Sequence, residues 1–326
     1  MIVALALIGY AGLLATLGAR WLERAGWTGR APRLGILAWQ AASASVLGAA
    51  VLGGLALTVS TTPLSGNLAG WLRSCVMALR AQYATPGGAA AGASGVVLAL
   101  AVLARVGWCA AATVRSAAHA RARQRESLAV LGRAAAGLGG VTVVDSPLPV
   151  AYCLPGRDRR VVVSNSALES LSAGQLRAVL AHERAHLSAR HDLANAVAGA
   201  LARAFPRLAV FRAGATQIAR LAEMSADDAA ARSTHRLDVA EALLALADGR
   251  TPAAALGAGG PGAGERVRRL IAAPAPLGRA RRWATAGLTA SVLLTPLLLI
   301  AAPAAVAAHL NYCPNPPAAQ SLLAPR

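Results

Sequence analysis

The chain has 326 residues, 56% of them hydrophobic and only 14% charged, with a formal net charge of +18. Soluble domains carry about 25% charged residues, so the composition points to a chain that enters a membrane and keeps room for one domain of roughly 150 residues. All 32 basic residues are arginine; they lie between apolar runs, as in the cytoplasmic loops of membrane proteins, and no nucleic-acid motif accompanies them, so direct nucleic-acid binding is not expected.

Four stretches approach the ~20 apolar residues that a bilayer requires. They are residues 2–19, 34–59, 89–112 and 284–310. Trp21, Trp27, Trp108, Trp283 and Tyr312 stand near their ends, where amphipathic rings favour the headgroup layer. The first stretch lacks a basic leader and its arginines follow the apolar run, so it reads as an uncleaved span. Residues 20–33 hold Arg20, Arg24, Arg30 and Arg33 against Glu23, and residues 115–282 hold 24 arginines against 13 acidic residues. Residues 60–88 hold only Arg73 and Arg80, and the tail after 310 only Arg326. The charge bias therefore places 20–33 and 115–282 in the cytoplasm of a multi-pass plasma-membrane protein, with both termini outside. Arg105, inside the third stretch, is expected to snorkel to the cytoplasmic face or to meet the folded domain. Cys75 and Cys313 fall on the oxidising side. A disulfide between them is one reading and two unpaired thiols is the other.

Residues 115–282 read as an α+β domain. An Arg-rich helix over 118–133 leaves the membrane. A short β-branched strand follows at 141–144. Residues 150–154 and 159–163 flank Pro155, Gly156, Arg157 and Asp158 as a hairpin. Ser172 and Gln175 fit a capping box that opens a helix to about Arg190. Residues 193–211 are apolar, but Arg203, Pro206 and Arg207 favour an interfacial or packed helix over a full span. A helix is predicted over 213–232, then a mobile Gly/Pro/Ala loop over 251–264. The expected organisation is three spans in 1–114, a cytoplasmic domain in 115–282, and a fourth span with a short outer tail in 283–326.

The chemistry lies in His182-Glu183-Arg184-Ala185-His186. Two histidines four apart on a helix share one face and can share one ion. Zinc accepts neutral imidazole, and a catalytic site takes three protein ligands plus water. Glu183 is then placed to take a proton from that water as it attacks a peptide carbonyl. Glu223 and Asp227 stand four apart on the next predicted helix. Glu223 is the candidate third ligand, and Asp227 the candidate to accept a hydrogen bond from a ligand histidine and fix its tautomer; a pair of surface acids at helical spacing is the other reading. Asp228 projects about 100° away from Asp227 and is a poorer candidate for that bond. His191, five residues past His186, falls off the ligand face and reads as a solvated or interfacial histidine. His235 has two readings, a donor to the tetrahedral oxyanion or an exposed loop residue. The strand over 150–154 has two as well, an edge that pairs with an extended peptide or an ordinary paired strand.

These residues resemble the integral-membrane gluzincins, which combine HExxH with a downstream E-x-x-x-D. The stretch from Val143-Val144-Asp145-Ser146-Pro147 through His186 looks like their catalytic domain, as does Glu223-Met224-Ser225-Ala226-Asp227. Three spans, a cytoplasmic protease loop and a fourth span are similar to the BlaR/MecR-type antirepressor peptidases. The resemblance implies an α-helical membrane protein with four transmembrane helices and a cytoplasmic α+β gluzincin-like metalloprotease domain. It implies one Zn2+ per chain on His182, His186 and Glu223, with Glu183 as base. It further implies a protein substrate, a cytoplasmic DNA-binding repressor, and the lipid bilayer as partners. Only about sixteen residues follow Leu310, so the penicillin-binding sensor of that group is not expected. The HtpX/CAAX prenyl protease branch shares the chemistry and leaves housekeeping cleavage of membrane proteins open. A non-enzymatic membrane sensor with a vestigial metal site is the alternative from another class.

Overall fold

The structure is a computed structural model that describes residues 2–58, 87–135, 138–156, 159–248 and 263–310. Ten helices and four strands are found among these residues. Helix α1 is continuous over Ile2–Arg24, with a π-helical stretch at Leu14–Gly18. Helix α2 is Pro32–Ala56, α3 is Gly88–Leu131, and α10, near the C-terminus, is Arg279–Leu310. These four are long and apolar enough to cross a membrane. They coincide with the four apolar stretches and associate the protein with a bilayer. Helix α3 runs 44 residues, so the third stretch and the Arg-rich helix after it are one rod.

The chain divides into two compact units. In the first, formed by Met1–Ala11, Leu47–Leu103 and Leu294–Arg326, apolar helices meet through small residues. A Cβ on Gly54 would fall 2.7 Å from the Gly95 carbonyl oxygen, and one on Gly95 would strike the Gly54 carbonyl. The backbones of α2 and α3 therefore touch at a crossing that only glycine permits.

The second unit, Gly12–Val46 and Ala104–Leu293, carries the domain. Strands β1 (Arg133–Ala134), β2 (Val141–Val144), β3 (Ala151–Leu154) and β4 (Arg160–Ser164) form a sheet of order β1-β2-β4-β3. β2 and β4 are parallel, while β1 and β3 pair antiparallel at the two edges. The Val161–Val163 run makes β4 apolar on both faces. Val161 and Val163 join Val141, Ala167, Leu171, Val179 and Leu180 on one side, and Val162 meets Leu128 and Leu154 on the other.

Helices follow: α4 (Asn165–Ser170), α5 (Ala173–Ala189), α6 (His191–Ala204), α7 (Ala209–Ser233), α8 (Arg236–Asp248) and α9 (Ala263–Ala272). The apolar 193–211 stretch is thus no span. It is a 14-residue helix, a turn at Phe205–Leu208 and the start of α7. Arg105 meets the folded domain, donating from Nε to the Ala204 carbonyl at the end of α6. Helix α7 is the central element. Phe211, Ile218, Leu221 and Met224 on it are buried to 2% exposure or less. Gly35 of α2 lets Leu221 approach closely, and Gly214 of α7 lies against the Trp39 ring. The Gly/Pro/Ala loop predicted over 251–264 falls mostly outside the described residues, as do Cys75 and Cys313.

Candidate metal centre

The centre starts from the capping of α5. Ser172 Oγ accepts the Gln175 amide at 3.3 Å, and Gln175 Oε1 accepts the Ser172 amide at 2.9 Å. This is the capping box expected from the sequence. It fixes the start of a helix that sets His182 and His186 one turn apart. Their Nε2 atoms face each other at 3.1 Å. Helix α7 brings in the Glu223 carboxylate, with Oε2 3.5 Å from His182 Nε2 and Oε1 3.5 Å from His186 Nε2. One atom from each of the three residues lies within 4.8 Å of the others, so the group can hold a metal ion. The 3.1 Å between the two imidazole nitrogens is close to the ~3.3 Å edge of a tetrahedron whose corners lie about 2 Å from its centre, the length of a zinc bond to nitrogen or oxygen, and each Glu223 oxygen stands 3.5 Å from one of those nitrogens. The donor set therefore fits zinc.

Behind the cluster, Asp227 is 1% exposed, and His182 Nδ1 donates to its Oδ1 at 3.0 Å. With its proton held on Nδ1, His182 turns the Nε2 lone pair toward the cluster. Arg266 of α9 was not singled out in the sequence. Its Nε and Nη2 each donate to Asp227 at 2.7 Å, and its Nη1 lies 2.9 Å from Glu223 Oε2. One guanidinium thus holds both acidic residues of the E-x-x-x-D motif. Asp228 is engaged elsewhere, accepting from Arg269 at 2.7 and 2.9 Å.

His191 differs from expectation. It is 4% exposed, and its Nδ1 lies 3.1 Å from His186 Nδ1. The physical cause is Arg190, whose φ of 52° ends α5 in the left-handed conformation. A continuous helix would turn position 191 about 140° from position 186. The break at Arg190 starts α6 at once and folds the His191 ring back against His186. His235 is not brought to the cluster; it is exposed before α8, and its backbone carbonyl accepts the Val239 amide.

The charges are strongly biased. Burial acts to lower His182, but its bonds to Asp227 and Glu223 prevail and raise its pKa to about 9. Burial lowers His186 to about 4. Burial also opposes ionisation of Glu223 and Asp227. The His182 bond and the Arg266 charge overcome it at Glu223, and bonds from Arg266 and His182 do so at Asp227, leaving both at about 2. Glu183 is raised above the usual carboxylate range by burial. The Cys153 thiol of β3 donates to it and is itself pushed up to about 12, first by burial and then by the Glu183 charge. Strand β3 is an edge of the sheet, paired with β4 on one side. The edge strand and the HExxH helix therefore meet at Glu183.

No curated protein and no solved structure matched the chain. Residues 117–273 match the family model described as Peptidase family M48. The matched segment covers just under half of the chain and contains the HExxH helix, the Glu223 helix and Arg266, and this similarity supports a metallopeptidase.

Proposed function

We propose that the chain is an integral-membrane zinc endopeptidase whose active centre consists of His182, Glu183, His186 and Glu223. The observation that carries this reading is the convergence of two imidazole nitrogens, 3.1 Å apart, with a carboxylate whose two oxygens each stand 3.5 Å from one of them. Zinc at this position supplies a Lewis acid and an acidified water. His182 and His186 would hold it through Nε2, and Glu223 through its carboxylate. Asp227 keeps the His182 proton on Nδ1. Glu183 takes the proton of the attacking water and returns it to the leaving amide nitrogen; burial raises its affinity for that proton. The free edge of β3 holds an extended substrate backbone beside Glu183.

In this reading residues 1–114 and 283–326 anchor the protein by three spans and one span, and residues 115–282 form the peptidase domain at the cytoplasmic face. The arginine bias of residues 20–33 and 115–282 supports that orientation. Regulated cleavage of a cytoplasmic repressor is the first physiological reading. Cleavage of membrane proteins in quality control is the second.

The test is turnover by the purified full chain and by Glu183→Gln. The variant should keep its metal and lose roughly 10²–10⁴-fold in kcat. Unchanged cleavage by pure variant protein removes Glu183 as the base. Proteomes of cells carrying either form then separate the two physiological readings: one accumulating repressor means signalling, many accumulating membrane proteins mean quality control.

A further inference from the structure

Outside the metal cluster, the second unit holds a cavity of about 540 Å³ between the start of α2 and the α5–α6 junction. Its polar wall includes Arg33, Arg190 and His191, and its apolar wall includes Leu37, Leu193 and Val197. Arginines 121, 220, 266 and 269 are the ones among the described arginines of the same unit that pair with carboxylates. Among the described residues Arg33 and Arg190 have no carboxylate partner, and both are exposed. The acidic residue beside them, Asp192, is paired with Arg121 at 3.9 Å. The cavity therefore carries two uncompensated positive charges.

The apolar side of the cavity is exposed as well. Leu37, Leu193 and Val197 are 55%, 54% and 47% exposed. Arg33 and Leu37 lie in the first two turns of α2, at the end of a helix apolar and long enough to span a bilayer. Two guanidiniums beside exposed aliphatic side chains, at the end of a spanning helix, complement a molecule with an anionic head and an apolar tail. A free inorganic anion has no use for the leucines, and a neutral lipid has none for the arginines.

We infer that this cavity binds an anionic membrane phospholipid, its phosphate between Arg33 and Arg190 and an acyl chain along Leu37, Leu193 and Val197. His191, in the same wall, touches His186, so the lipid head lies one residue from the metal cluster.

Binding is read on the full chain in detergent, without any turnover, so the result is independent of the peptidase reading. The protein is titrated with short-chain phosphatidylglycerol, short-chain phosphatidylcholine and an acidic peptide. The wild type should bind phosphatidylglycerol at least tenfold tighter than phosphatidylcholine. The double variant Arg33→Gln/Arg190→Gly should lose that preference. It should keep its fold, because Arg33 is exposed and glycine accepts the left-handed backbone at 190 without strain; an unchanged melting temperature verifies this. The double variant Arg207→Gln/Arg232→Gln, which removes two exposed arginines outside the cavity, should keep the preference. Three results overturn the proposal: equal binding of the two lipids, the same loss in both double variants, or Arg33- and Arg190-dependent binding of the acidic peptide in place of the lipid.

Discussion

At the scale of single residues, Arg266 joins the two acids of the E-x-x-x-D motif into one unit. Its three short contacts orient Asp227 behind His182 and restrain the Glu223 carboxylate. Partners that orient metal ligands in this way are worth about 10–100-fold in metal affinity. Arg266→Gln should therefore weaken zinc binding by about that factor, and Arg266→Lys should recover part of it. Competition with a chelator reads both. Unchanged affinity in Arg266→Gln would reduce the arginine to a clasp between α7 and α9. The titrating groups lead to a second expectation. Without metal, His182 stays protonated up to about pH 9, and His186 is neutral above about pH 4. Metal binding requires both to be neutral. Between those values binding should expel one proton, and apparent zinc affinity should rise about tenfold per pH unit, levelling off above the His182 value. Calorimetry in buffers of different ionisation enthalpy counts the protons; none or two near neutral pH contradicts the assignment. His182, Glu183, His186, Glu223 and Asp227 could be singled out in the sequence because local spacing on two helices carries them. Arg266 and His191 could not. Arg266 arrives from 39 residues beyond Asp227 on a separately docked helix, and His191 depends on one left-handed residue that interrupts the helical period.

At the scale of elements, the crossing of α2 and α3 rests on the absence of side chains at Gly54 and Gly95. A side chain at either position meets backbone, which cannot swing aside. Gly95→Val should force the helices apart and cost about 1–3 kcal/mol, as overpacking does. A melting temperature that matches the wild type in the same detergent would show that the crossing is not tight. Strand β2 was legible to the residue, and β3 and β4 to within one residue, because β-branched runs beside a Pro-Gly turn are local signals. Strand β1, two residues long, has no periodicity to read. Helix α8 has no cap signal in the sequence, although Val239, Leu243 and Leu246 stand at helical spacing. The start of α7 lies four residues before its predicted position, where Val210 and Phe211 are buried by tertiary packing rather than marked by a cap.

At the scale of the whole molecule, four apolar helices and one α+β domain follow from composition and hydropathy, and the structure contains both. How α7 seats Glu223 over the HExxH helix is a matter of packing, set by Leu221, Gly35, Gly214 and Trp39, and no sequence spacing encodes it. The central claim is that His182, His186 and Glu223 form one zinc site from two helices. Metal content of the purified full chain tests it most directly. One zinc per chain in the wild type, falling to near zero in Glu223→Ala with the fold retained, is the predicted result. Full zinc content in Glu223→Ala would contradict it.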